Sequence, residues 1–284
     1  MATTKRRDQV ITADDLREYL STRDDFALEL FVYQEAKKHR FLAKHGGTYT
    51  DPVTNKPRQF DVRAYYFDPS FCRLDLAIEC KSLQPTYPLL LSRIPRATAE
   101  SFHQLILFDA TQDSTDAKRG TVDPLRASVV RHLGSQSIYH VGDSVGKTMT
   151  QVGRDDKGAI KTGDDGVYDK WSQALASADE LVSSAAYGLP QLHNKVLTFV
   201  LPVLVVSDGT LWAADYSEDG REISDPVQID EGELFVGREY GGGGRPAYTI
   251  SHLHIVTKSR VGSFFDRLYA SWRQIFYYRS DSAV

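Results

Sequence analysis

The sequence predicts an α/β fold, a mixed central β-sheet flanked by helices, with residues 1–284 forming a single domain. Three observations carry this expectation. Residues 59–83, QFDVRAYYFDPSFCRLDLAIECKSL, alternate apolar and polar positions with a period of two on either side of a turn at Asp68-Pro69-Ser70, as in a half-buried strand pair. Residues 24–40 place Phe26, Leu30 and Tyr33, and Leu28, Phe31, Val32 and Ala36, at helical spacing. The run KVLTFVLPVLVV is almost wholly apolar and rich in valine, as a strand covered on both faces must be. Hydrophobic residues make up 41% and charged residues 25%, the proportions of an ordinary globular protein. No repeat or linker divides the chain.

Taken in order, residues 12–21 read as a short helix capped by Thr12, with Asp14 and Asp15 in its first turn. The helix begun at Asp24-Asp25 is apolar on most sides of its first half, which predicts that it is largely buried. Glu29 lies in that half, so it needs either a metal or a salt bridge to a lysine or arginine of the sheet. A turn spans residues 51–57. After the strand pair, TYPLLLSRIPR gives another strand, ending in Arg93 and Arg96 beside the strand pair, and ATAESFHQLILFD reads as a helix with His103 as a packing residue. Residues 111–125 are a polar surface loop, and residues 152–166 a turn-rich charged excursion. Residues 167–187 describe a long amphipathic helix through Trp171, Leu175, Ala178, Leu181 and Val182, stopped by Leu189-Pro190. Beyond the buried run, Ser207-Asp208-Gly209 turns the chain into a hairpin with LWAADYSEDG. The four glycines at 241–244 serve as a connector, His252 and His254 share one face of a strand, and GSFFDRLYASWRQIFYYR is an aromatic amphipathic helix. Residues 195–284 extend the same sheet or form a subdomain on it.

The strand pair also concentrates chemistry. Leu74, Leu76, Ile78 and Cys80 share one face of its second strand, and Asp75, Ala77, Glu79 and Lys81 the other. On the first strand Phe60, Val62 and Ala64 oppose Asp61, Arg63 and Tyr65. Packing the apolar faces on a common core brings Asp61 towards Glu79 and Lys81. Two carboxylates suit Mg²⁺, which takes hard oxygen ligands and fills the remaining positions with water and phosphate oxygens. Lys81, about 7 Å beyond Glu79 on the same face, can orient an attacking water or offset phosphate charge.

Phe60-Asp61 followed by Glu79-Cys80-Lys81 at the end of the next strand resembles the PD-(D/E)XK nuclease superfamily, whose fold is restriction-endonuclease-like. FALELFV at 26–32 looks like that family's first helix, and FLAKHGGTYTDPVTNKPRQFD is similar to its first strand, turn and second strand. Phe60 stands where the motif's name has proline. The likeness covers roughly residues 24–110. From the residues themselves, 111–194 read as loops and a long helix and 195–284 as a C-terminal sheet extension, whereas the likeness implies a restriction-endonuclease-like core at 24–110. It also implies Mg²⁺, replaceable by Mn²⁺, bound by Asp61, Glu79 and the Cys80 carbonyl. In this reading Lys81 activates the water, Glu29 supports the site, DNA is the substrate and the product carries a 5′-phosphate. Work within a restriction or anti-phage system, as a homodimer or with a partner protein that supplies recognition, is a further implication.

Arg93, Arg96 and Lys147 are candidate phosphate contacts. Lys147 falls in GDSVGKT, which invites a nucleotide-binding reading, but Gly142 and Gly146 enclose three residues where a phosphate loop needs four. The net charge of −4 argues against tight non-specific duplex binding by this chain alone. Two cysteines, Cys72 and Cys80, both amid apolar neighbours, no stretch long enough to span a membrane and no secretory signal set the expectation of a cytoplasmic protein without membrane contact. Two other classes stay open: a nuclease fold that no longer cuts and serves as a binding or scaffolding subunit, and a nucleotide-binding regulatory protein.

Overall fold

The computed structural model describes residues 10–52, 54–68, 71–109, 127–163, 165–186, 195–242 and 245–276. Helix α1 (Ala13–Arg23) is capped by Thr12, whose hydroxyl accepts the Asp15 N–H while Asp15 returns a bond to the Thr12 N–H. Asp24 caps α2 (Asp25–Lys38), and β1 (Leu42–His45) follows. Strands β2 (Thr48–Thr50) and β3 (Pro57–Gln59) form a small separate hairpin. Strands β4 (Val62–Asp68) and β5 (Cys72–Lys81) are the expected antiparallel pair, with Val62 opposite Ile78 and Asp68 opposite Cys72. Then come β6 (Leu89–Pro95), β7 (Phe102–Asp109), β8 (Ala127–Leu133), β9 (Ser144–Arg154), β10 (Ile160–Thr162) and α3 (Asp165–Ala186). The last third holds β11 (Lys195–Val206), β12 (Leu211–Asp215), β13 (Val227–Gln228), β14 (Glu231–Gly242), β15 (Arg245–Thr257) and α4 (Val261–Phe276).

Apart from the small hairpin, the strands join one mixed 13-stranded sheet, ordered β1-β4-β5-β11-β15-β14-β9-β6-β12-β13. β1, β4 and β5 run antiparallel in turn, and β11 lies parallel to β5 over its length, from Leu197 opposite Cys72 to Val206 opposite Lys81. On its other edge β11 pairs first with β7 and then with β15, so the sheet forks there. Helices cover both faces. Leu74, Leu76, Ile78 and Cys80 of β5 meet α2 and α4 through Leu28, Val32, Phe264 and Phe265. The opposite face carries Ala77 and Val200 against Leu175, Ala178, Leu181 and Val182 of α3. The alternation along β5 therefore hands Asp75 and Glu79 to the α3 side.

Several expectations fail for identifiable reasons. The segment read as a helix after Arg96 is a short 3-10 turn followed by β7, because FHQLILF is a nearly continuous apolar run covered from both sides, where a helical period carries no information. The presumed loops of 111–194 include β8, β9 and β10, and GDSVGKT runs into β9 rather than looping round a phosphate. Residues 111–125, Leu189-Pro190 and two of the four glycines lie outside the described residues; the other two glycines end β14, one half of the β14–β15 hairpin. β12 does not fold back on β11 but lies parallel to β6. Helix α2 buries one stripe, Leu28, Val32 and Ala36, and leaves Phe26 and Leu30 exposed. Phe60 departs from the apolar face of β4 and packs with Tyr49 and Ala176. Among the described residues, no helix is long and apolar enough to cross a membrane.

Candidate functional site

Asp61 sits one residue before β4, where the register that pairs Val62 with Ile78 carries on to bring it opposite Glu79. Two local bonds hold it. The Gly46 N–H donates to its carbonyl, and the Cys80 N–H donates to its Oδ2 at 2.8 Å. The preceding turn depends on Gly47, because a Cβ there would stand 2.5 Å from the Phe60 ring. Glu79 is fully buried, and neither of its oxygens receives a hydrogen bond.

The cation that answers these carboxylates comes from α3. Lys170 Nζ donates to Asp61 Oδ2 at 2.8 Å and stands 3.5 Å from Glu79 Oε2. The helix is locked in place by Arg63 of β4, which donates to Ser177 Oγ at 3.1 Å and to Glu180 at 2.7 Å. Lys81, the lysine of the sequence motif, turns to the start of α2 instead. Its Nζ pairs with Asp25 Oδ2 at 3.0 Å, and the Ser82 N–H donates to the other Asp25 oxygen at 2.6 Å. The predicted convergence of Asp61 and Glu79 holds, and that of Lys81 does not. A short strand end beside a helix start gives Lys81 a nearer carboxylate than the one across the ladder.

Among the described residues, Glu29 pairs with neither a lysine nor an arginine. His45 at the end of β1 lies 3.0 Å from its Oε2. Burial, then the negative charge of Asp61, raises the Glu29 pKa above the ordinary value. Burial and Asp61 together push Glu79 well above it, outweighing Lys170. For Lys170, burial works against the charge, but Asp61 and Glu79 outweigh it and hold the ammonium above the usual lysine range. Burial also lifts the Cys80 thiol and keeps it inert, and neither Cys80 nor Cys72 forms a disulfide. Asp61 and Glu79 thus share Lys170, while Glu29 is answered by His45, and burial opposes the charged forms of both glutamates.

Among the described residues, no three histidine, cysteine, aspartate or glutamate side chains converge closely enough to enclose a metal ion. Asp61 and Glu79 form a two-carboxylate pair, a set that Mg²⁺ accepts when water and phosphate oxygens complete its shell. The orphaned oxygens of Glu79 fit a cation, since a buried carboxylate without donors is costly. Glu29 joins this pair through its charge.

The candidate phosphate contacts lie elsewhere. β6 bonds to β9 and β12, not to the strands that carry Asp61 and Glu79, so the expected adjacency fails. Arg93 forks onto Asp215 at 2.9 and 2.7 Å. Arg96, 2% exposed, binds Glu233, the His140 carbonyl at 2.9 Å and His252 Nε2 at 3.2 Å. Lys147 is paired with Glu100. His254 shares a hydrogen bond with the Tyr139 hydroxyl at 2.9 Å, and His103 is buried in β7. Lys170 is the member of the Asp61–Glu79 cluster that sequence reasoning missed. Its signal is a lysine set four and seven residues before the buried Ala174 and Ser177, on a stripe where an unpaired charge is unfavourable.

Comparison with protein-family models, curated proteins and solved structures finds no match to this chain.

Proposed function

We propose that this chain is a metal-dependent nuclease that hydrolyses phosphodiester bonds, with DNA as its substrate class. The observation that carries the reading is the buried Glu79 carboxylate, without a hydrogen bond, beside Asp61 and Lys170. The order of α2, β1, β4 and β5, with Asp61 and Glu79 on adjacent strands, supports the restriction-endonuclease-like interpretation of the motif. Asp61 and Glu79 would hold Mg²⁺ or Mn²⁺, together with the Cys80 carbonyl if the resemblance extends so far. A divalent cation supplies charge stabilisation to a phosphoryl group and lowers the pKa of a bound water.

The chain's own side chains do the rest. The Cys80 N–H fixes one Asp61 oxygen and so directs the other. Lys170 replaces Lys81 as the ammonium of the site, positioned to orient a water or to offset phosphate charge. The Lys81–Asp25 pair and the Glu29–His45 pair fix α2 against the sheet. A second reading, a binding or scaffolding module without cleavage, is favoured by one observation: Lys170 already engages both carboxylates, as a resident cation would.

Titrating Mn²⁺ into wild type and Asp61→Asn by calorimetry separates the two. The nuclease reading expects saturable binding by wild type that the variant loses. A wild type that binds no Mn²⁺ would overturn it in favour of the scaffold.

A further inference from the structure

Two grooves stand apart from the Asp61–Glu79 cluster, and their charges differ. One, of about 460 Å³, lies between β14, β15 and α4; Asp143, Glu231 and Glu233 there face Arg93, Arg267 and His254. Its arginines are already paired, Arg267 with Glu231 inside the lining and Arg93 with Asp215 outside it. It has little left to offer a ligand.

The other groove, of about 540 Å³, is formed by β9, β14 and the first turns of α3. Among the described residues, Lys147 and Arg238 are its only charged lining residues and no carboxylate lines it, in a chain whose net charge is −4. Three aromatic rings, Tyr168, Trp171 and Phe235, share the lining. Tyr168 is 55% exposed and meets Trp171 edge to face at 5.0 Å between centroids, so one ring of the pair presents itself to solvent. Lys147 lies 5.2 Å over the Phe235 ring while paired to Glu100, which itself stays outside the lining. Arg238 has no ion-pair partner among the described residues and rests 5.4 Å over Tyr240. The remaining lining offers hydroxyl and amide groups from Thr148, Thr150 and Gln151.

Flat π-faces beside a guanidinium without an ion-pair partner among the described residues suit a planar base joined to a phosphate. Its position adds a reason. Tyr168 and Trp171 flank Lys170 on the same turn of α3, so one helical turn presents an ammonium to Asp61 and Glu79 and rings to the groove. We propose that this groove binds an unpaired nucleotide of a single-stranded nucleic acid, stacking its base on Tyr168 and setting its phosphate against Arg238. The strand is thereby led towards Lys170. Duplex DNA, whose bases are stacked on one another, cannot use the groove without unpairing. This deepens the hydrolytic reading of the Asp61–Glu79 cluster and rests on it.

The test is fluorescence anisotropy of a labelled oligothymidylate of about 12 nucleotides, in EDTA so that nothing is cleaved, with wild type, Tyr168→Ala and Arg238→Gln. Each variant is expected to weaken binding about tenfold. Tyr168 is exposed enough for its loss to leave the circular dichroism melt unchanged, whereas Trp171 packs into the core, so Trp171→Phe, which keeps a ring, is expected to retain binding. A duplex of the same length should bind more weakly than the single strand to wild type. The proposal is overturned if both variants bind the oligomer like wild type, if duplex binds as tightly, or if wild type binds no oligomer. It is also overturned if thymidine monophosphate competes as effectively as the oligomer, which would make the groove a free-nucleotide site. Binding and cleavage fail separately: intact binding without metal-dependent cleavage sinks the hydrolytic reading alone, and cleavage with unaltered binding by the variants sinks the groove alone.

Discussion

Two buried charged clusters lie on this sheet, and they are built to opposite ends. Around Arg96, one guanidinium meets Glu233, a backbone carbonyl and a histidine, and the charges cancel. Around Glu79, two buried carboxylates share one ammonium, and among the described residues neither Glu79 oxygen has a hydrogen-bond partner within normal reach. A satisfied buried charge fixes the fold, whereas an unsatisfied one stores unfavourable energy that a ligand can relieve. The contrast separates scaffold from site without reference to any motif.

Substitution breaks the comparison most sharply at Glu79. Glu79→Gln should lower metal-dependent cleavage by at least about a hundredfold, yet leave the thermal midpoint level with wild type or about 2 °C above it, because it removes a buried carboxylate whose ionised form burial disfavours. A clear fall in the midpoint, read by circular dichroism, would show that Glu79 is structural. Arg96→Ala should behave the other way. It strands Glu233 and the His140 carbonyl, costing about 3–5 kcal/mol in chemical denaturation. A loss under about 1 kcal/mol would mean that the Arg96 cluster is not the structural member of the pair.

Acid sharpens the comparison by a smaller step. Burial, with Arg96 adding to it, pulls His252 down to about 2, and burial beside His132 takes His103 to about 3, from an ordinary 6.5. Both stay neutral in the fold while the unfolded chain takes up their protons. Their contribution is therefore complete above about pH 6.5 and declines as pH falls towards 3, by on the order of 1 kcal/mol per histidine per pH unit. Urea unfolding at pH 7 and pH 5 measures it, and His252→Gln should flatten the decline. An unchanged slope in that variant would place His252 in water.

Much of this was legible from residue patterns. The β4–β5 pair, the two faces of β5 and the opposition of Asp61 and Glu79 follow from strict alternation, whereas Pro69 and Ser70 of the expected turn lie outside the described residues; Thr12 and Asp24 mark helix starts through their capping oxygens. What alternation cannot supply is the partner across space. Lys81 and Lys170 are both lysines near the carboxylates, and only the placement of α3, set by Arg63, Ser177 and Glu180, decides which reaches them. β7 was missed because full burial on both faces erases the period that distinguishes strand from helix. Arg93 and Arg96 were placed near the site by chain order, but the sheet puts β11, β15, β14 and β9 between β5 and β6.

The most direct test of the account is cleavage of plasmid and single-stranded DNA, with Mg²⁺ or EDTA, by wild type, Lys170→Ala and Lys81→Ala. Lys170 touches both carboxylates, whereas the partly exposed Lys81–Asp25 pair contributes only about 0–1 kcal/mol to the fold. The expected result is Mg²⁺-dependent cutting that Lys170→Ala loses and Lys81→Ala largely keeps. Cutting that survives in Lys170→Ala and disappears in Lys81→Ala would contradict the assignment of the lysine, and a wild type that cuts nothing under either condition would contradict the nuclease itself.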